Sequence, residues 1–96
     1  MKKKEKDVLN LLSKAYTYQL MQSMDRGPKR FKDLSDACQN EKMRTQRLRE
    51  FESFDLVKVH AKRIEGRAVS IYELSETGRA TLKFAEDIKK LQKSKP

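Results

Sequence analysis

With no tryptophan, a single cysteine and a single histidine, this 96-residue chain lacks the side chains on which most small catalytic and metal sites are built. Cys38 has no second cysteine to bridge, which suits a reducing compartment, and it reads as a small core residue at a helix end. His60 alone supplies neither a metal-ligand spacing nor a Ser/His/Asp or Cys/His arrangement. Gly27, Gly66 and Gly78 are too scattered to form a phosphate-cradling loop. No apolar run approaches the roughly 20 residues that span a bilayer. The Met1-Lys2-Lys3-Lys4 start leads into charged, amphipathic sequence, not the apolar block of a secretion signal. The expectation is a cytoplasmic chain with no metal, no cofactor and no enzymatic activity.

Charge is what the sequence has in excess. Charged residues make up 39% of the chain and hydrophobic ones 36%, and the formal net charge is +9. Such a field attracts a polyanion, and nucleic acid is the commonest one inside a cell. The length fits one domain over 1–96, with a core small enough that a second copy would add useful apolar burial.

The order of elements follows from periodicity and punctuation. Val8, Leu9, Leu12, Tyr16, Leu20 and Met24 recur at three- and four-residue steps, which predicts one long helix over about 4–25. Arg26-Gly27-Pro28 stops it, and a short extended piece follows near Lys29 to Phe31. A short helix over about 32–38 turns Leu34, Ala37 and Cys38 inward. After Gln39, Asn40 is a good N-cap for a second helix over about 41–54. Two helices across so tight a turn form a helix-turn-helix candidate. From Leu56 the period changes to alternation, and two β-rich runs flank Glu65-Gly66, predicting a hairpin over about 57–74. Ser75 caps a last helix over about 76–93. The expected fold is α+β, mainly α: a winged helix-turn-helix with a two-stranded wing and long terminal helices.

Placed on a helical wheel, Lys42, Thr45, Gln46, Arg49 and Ser53 share one face of the 41–54 helix, while Met43, Leu48, Phe51 and Phe54 share the other. Between Lys42 and Arg49 there are four basic residues and no acidic one. Arginine pairs with guanine edges and glutamine with adenine in the major groove, so Lys42, Thr45, Gln46 and Arg49 are the candidate reading set. Arg44 and Arg47 fall towards the inward side, where they would snorkel or pair with Asp33 or Asp36. The role of Arg47 reads as structural, and that of Arg44 stays open between structure and phosphate contact. In the wing, Lys62, Arg63 and Arg67 are placed for the minor groove or the backbone, although charged residues also protect an edge strand from aggregation. Lys29 and Arg30 are further candidate phosphate contacts.

Several stretches in order resemble a known group. Gly27-Pro28-Lys29-Arg30-Phe31-Lys32-Asp33-Leu34 is similar to the entry into the second helix of HxlR-type winged-helix regulators. Thr45-Gln46-Arg47-Leu48-Arg49-Glu50-Phe51-Glu52 resembles their recognition helix, Asp55-Leu56-Val57 the start of the wing, and Tyr72-Glu73-Leu74-Ser75-Glu76-Thr77-Gly78 its exit. The last of these is shared with MarR and ArsR types, but the ordered set is more specific. The turn before the recognition helix is about two residues shorter than the family's, and Arg44 stands where the family prefers an apolar residue. The wing proline and the cysteine often found near the N-terminus are absent. The resemblance implies a double-stranded DNA-binding transcriptional regulator that forms a homodimer through its terminal helices. Leu9, Leu12 and Tyr16 on the first helix, with Phe84, Ile88 and Leu91 on the last, offer more apolar surface than one small core needs. Two other classes fit the same charge: a sequence-tolerant architectural DNA binder and a winged-helix protein-interaction module. No pocket for a small-molecule effector is legible.

Overall fold

Asp7 opens the part of the chain that the computed structural model describes, residues 7–93, and its carboxylate accepts the Leu9 N–H at 3.0 Å. That cap starts helix α1, Val8–Leu12, after which the expected long helix divides. Residues 13–16 turn the chain, Tyr16 adopts a left-handed backbone (φ 71°), and α2 runs over Thr17–Asp25. The expected start near Lys4 lies outside the described residues. The break carries no glycine or proline, and it changes which residues face inward: of the expected stripe Leu20 and Met24 are buried, Val8 and Leu12 pack partly, Leu9 and Tyr16 stay exposed, and Leu11 and Met21 enter the core instead. Thr17 holds the corner, its buried hydroxyl donating to the Leu11 carbonyl at 2.9 Å.

Gly27 ends α2 as expected, with a backbone φ of 141° that a side chain would oppose. Strand β1, Lys29–Arg30, follows, and then a 3-10 helix over Lys32–Asp36 in place of the slightly longer helix expected there. The Asn40 side chain accepts the Met43 N–H at 2.9 Å and starts α3, Glu41–Ser53. Met43, Leu48 and Phe51 face the interior, Phe51 completely.

Strands β2, Val57–Ile64, and β3, Arg67–Leu74, pair antiparallel from Val57↔Leu74 to Ile64↔Arg67. Glu65 (φ 52°) and Gly66 (φ 79°) both take the left-handed conformation, as a two-residue hairpin turn of matching twist requires. β1 adds to the far side of β3 through Lys29↔Tyr72 and Arg30↔Ile71, so the wing is rooted in a three-stranded sheet of order β1-β3-β2. Only its base is buried, at Val57 and Leu74; the remainder projects from the domain.

Helix α4, Glu76–Lys93, returns across the core. The Ser75 hydroxyl accepts the Gly78 N–H at 3.0 Å and donates to the Asp55 carbonyl at 2.6 Å, while the Ser75 N–H donates to the Leu56 carbonyl at 2.9 Å. This brings the first turn of α4 hard against Leu56. A Cβ at Gly78 would collide with the Leu56 carbonyl oxygen, a backbone atom that cannot swing aside. Gly78→Ala is therefore expected to lower stability by about 1–3 kcal/mol, despite the helix propensity of alanine, as measured by urea unfolding.

Candidate nucleic-acid interface

Two of the four cations between Lys42 and Arg49 point into the protein. Arg44 is only 3% exposed, and its guanidinium donates to three backbone carbonyls: Nε to Cys38 at 2.8 Å, Nη2 to Gln39 at 3.1 Å and Nη1 to Phe31 at 3.4 Å. The same group lies over the Phe31 ring, 4.6 Å from its centroid. Arg47, 6% exposed, donates from Nε to the Ala15 carbonyl at 2.9 Å and from Nη1 to Glu50 at 3.1 Å. Glu50 also takes the Lys14 ammonium at 2.8 Å. The α1–α2 corner therefore presents Ala15 and Lys14 to α3, which answers with Arg47 and Glu50. Among the described residues, no buried side-chain nitrogen or oxygen is left without a partner. The inward lean of both arginines was legible in the helical wheel. Their acceptors were not, because carbonyls exposed by a turn leave no signature in the sequence, and neither arginine pairs with Asp33 or Asp36.

The opposite face of α3 is arranged differently. Lys42, Thr45, Gln46 and Arg49 line one shallow depression of about 360 Å³. Lys42, Gln46 and Arg49 are exposed and Thr45 is half-buried. No side-chain hydrogen bond or ion pair ties any of the four to another described residue. Their donors and acceptors all face solvent, on a helix fixed from behind by Arg44 and Arg47.

The other expected contacts separate into free and committed groups. Lys62 and Arg67 are exposed and unpaired among the described residues, while Arg63 reaches across its own turn from Nη1 to the Gly66 carbonyl at 2.7 Å. His60 meets Glu73 across the strands at 2.8 Å, which places one carboxylate among the cations of the outer wing face. Lys29 is turned back to cap α2, donating to the Ser23 carbonyl at 2.9 Å and the Gly27 carbonyl at 3.3 Å. Arg30 is held by Asp33 through Nε at 3.1 Å and Nη2 at 3.3 Å, and Asp33 also accepts the Arg30 N–H. Hydrogen bonding to Arg30 holds the Asp33 carboxyl below its ordinary pKa. On the terminal helices and the α1–α2 corner, Leu9, Tyr16, Phe84, Ile88 and Leu91 remain exposed, whereas Leu12 packs partly on the core. No helix of the described residues is long and apolar enough to cross a membrane.

The family model described as HxlR-like helix-turn-helix matches residues 11–95. The chain belongs to the HxlR family. It is a sequence-specific, DNA-binding transcriptional regulator of winged helix-turn-helix type and not an enzyme. The diamide-treated YodB of B. subtilis is 27% identical, with a TM-score of 0.78 over 93% of this chain and 91% of that one. The redox regulator HypR in its reduced form is 25% identical, with a TM-score of 0.76 over 91% and 87%. A putative MarR-family regulator from Porphyromonas gingivalis W83 shares the fold at 19% identity, with a TM-score of 0.75 over 98% and 100%. No curated protein matches the chain.

Within this HxlR protein, Arg44 fixes α3 to the turn that precedes it. Arg44→Met would leave three carbonyls without their donor, and a loss of about 3 kcal/mol is expected in denaturant unfolding. Arg44→Lys should recover little of it, since one ammonium on a flexible stem cannot reproduce a planar fork.

Proposed function

We propose that this regulator docks α3 in the major groove and reads base edges with Lys42, Thr45, Gln46 and Arg49, while Lys62, Arg63 and Arg67 of the wing meet the adjacent minor groove or backbone. The observation that carries this reading is the free, coherent polar face of α3, opposite cations committed to the interior. A helix that served only as a charged surface would gain nothing from a threonine and a glutamine grouped with Lys42 and Arg49. Mixed donors and acceptors are what base edges require.

The same reading includes a homodimer. Phe84 and Ile88, one turn apart on α4, leave about half of their surface in water, and Leu91 and Leu9 leave more. Apolar side chains at this spacing on a helix face form a seam that a second copy of the same face would close. A two-fold arrangement would place the two α3 helices on half-sites about 34 Å apart. The redox character named for HypR belongs to that protein; here the one cysteine, Cys38, is 1% exposed and lies behind Arg44.

Selection of bound sequences from random duplexes should return a palindrome, and Arg49→Ala should cut the affinity ratio of selected to scrambled duplex by about 10- to 100-fold. Equal affinity for both duplexes, with a steep salt dependence, would show an architectural binder instead. Ile88→Glu should give monomers in sedimentation velocity that keep the wild-type circular dichroism spectrum, because about half of the side chain is exposed within the protomer. A dimer of undiminished mass would contradict the seam.

A further inference from the structure

A concavity of about 550 Å³ lies away from α3. It runs between the tip of the wing and the corner where β1 enters the 3-10 helix, and is lined by Arg30, Phe31, Lys32, Ile64, Glu65, Arg67, Val69, Ser70 and Tyr72. It exists because β1 stops at Arg30, opposite Ile71, leaving the edge of β3 from Arg67 to Ser70 without a neighbouring strand. Its lining is mostly cationic: Arg30, Lys32 and Arg67 against the carboxylate of Glu65, with Asp33 paired to Arg30 beside it. Two of these cations, Lys32 and Arg67, are exposed and make no hydrogen bond or ion pair with another described residue, although the Lys32 charge helps to hold the Asp33 carboxyl below its ordinary pKa.

Arg30 contributes in a different way. Its bond to Asp33 uses Nε and Nη2, so both Nη1 hydrogens remain unclaimed. The carboxylate holds the guanidinium plane in one orientation, and a donor fixed beforehand loses less freedom on binding. Phe31, Ile64, Val69 and Tyr72 supply an apolar floor, a suitable surface for the carbon face of a sugar.

We propose that this groove seats a backbone phosphate of the bound duplex, gripped by Lys32, Arg67 and the free edge of Arg30, with the adjoining deoxyribose on the apolar floor. The inference rests on the docking proposed above, with α3 in the major groove and the wing alongside it. Lys32 thereby becomes a DNA contact, while Lys29, three residues earlier, stays a helix cap. Phosphate contacts set register and supply affinity without reading sequence, so the groove would act as a positioning device for α3.

The test uses the selected duplex and its scrambled counterpart. Lys32→Ala and Arg67→Ala should each weaken both duplexes equally, leaving the specificity ratio unchanged. The slope of log affinity against log salt should flatten by about 0.9 for one lost contact, so the wild-type advantage shrinks about 3.5-fold between roughly 50 and 200 mM salt. Lys83→Ala on α4 should leave the slope unaltered and so controls for net charge. A series of duplexes carrying one neutral methylphosphonate each should contain a position at which wild type and Lys32→Ala bind alike. Unchanged slopes for both variants, or no such position, would overturn the groove. If Arg49→Ala still relaxes specificity in that case, the docking of α3 survives without it. If Arg49→Ala is also silent, the docking itself has failed.

Discussion

A positive charge almost sealed from water holds the helix-turn-helix together. Burying a guanidinium without partners would cost several kcal/mol, and among the described residues no carboxylate pairs with Arg44. Carbonyl dipoles take that role. The carbonyls of Cys38 and Gln39 belong to the chain leaving the 3-10 helix, and that of Phe31 belongs to the chain entering it. A turn this short turns its backbone oxygens inward with no helix or strand to receive them. The five-donor fork of arginine receives three at once, and the Phe31 ring covers its face. An apolar residue could fill the same volume but would leave those oxygens unsatisfied. The short turn and the buried arginine are thus two parts of one solution.

Arg47 extends the principle to the other side of α3. Its acceptor, the Ala15 carbonyl, is available because α1 and α2 do not form a single rod. Recognition helix, turn and α1–α2 corner are therefore joined by side chains of α3 itself, and the outward positions inherit their placement from the inward ones. The net charge of +9 consequently serves two ends. Arg44, Arg47 and Lys29 stabilise backbone carbonyls, yet they still add to the long-range field that draws in a polyanion. The number of cations that steer DNA towards the protein exceeds the number free to touch it.

Much of this architecture was legible where local chemistry and global fold agree. Asn40, Gly27, Gly66 and Ser75 each mark a boundary by a mechanism that acts within a few residues, and the structure keeps all four boundaries. The hairpin and α4 follow the predicted spans closely. The division at residues 13–16 was hidden, since a left-handed tyrosine leaves no compositional trace and the apolar spacing in the sequence runs on across it, although Leu9 and Tyr16 end up exposed and Leu11 and Met21 buried. Lys42, Thr45, Gln46 and Arg49, grouped by the helical wheel, line one depression on α3. The fate of individual cations was not legible. Lys29, Arg30 and Lys32 are close basic residues of similar reach, and only the end of β1 decides that one caps a helix, one is held by Asp33 and one projects without a hydrogen bond or ion pair among the described residues.

The split between the two faces of α3 bears on how such a protein can change over generations. Arg44, Arg47, Leu48 and Phe51 are interlocked with the turn, the corner and the core, so drift at any of them endangers folding. Lys42, Gln46 and Arg49 touch nothing essential to the domain, and Thr45 little. Exchange at these four sites is nearly free of cost to stability. A duplicated copy could therefore acquire a new target sequence through a handful of substitutions while keeping its scaffold, with specificity diverging much faster than shape.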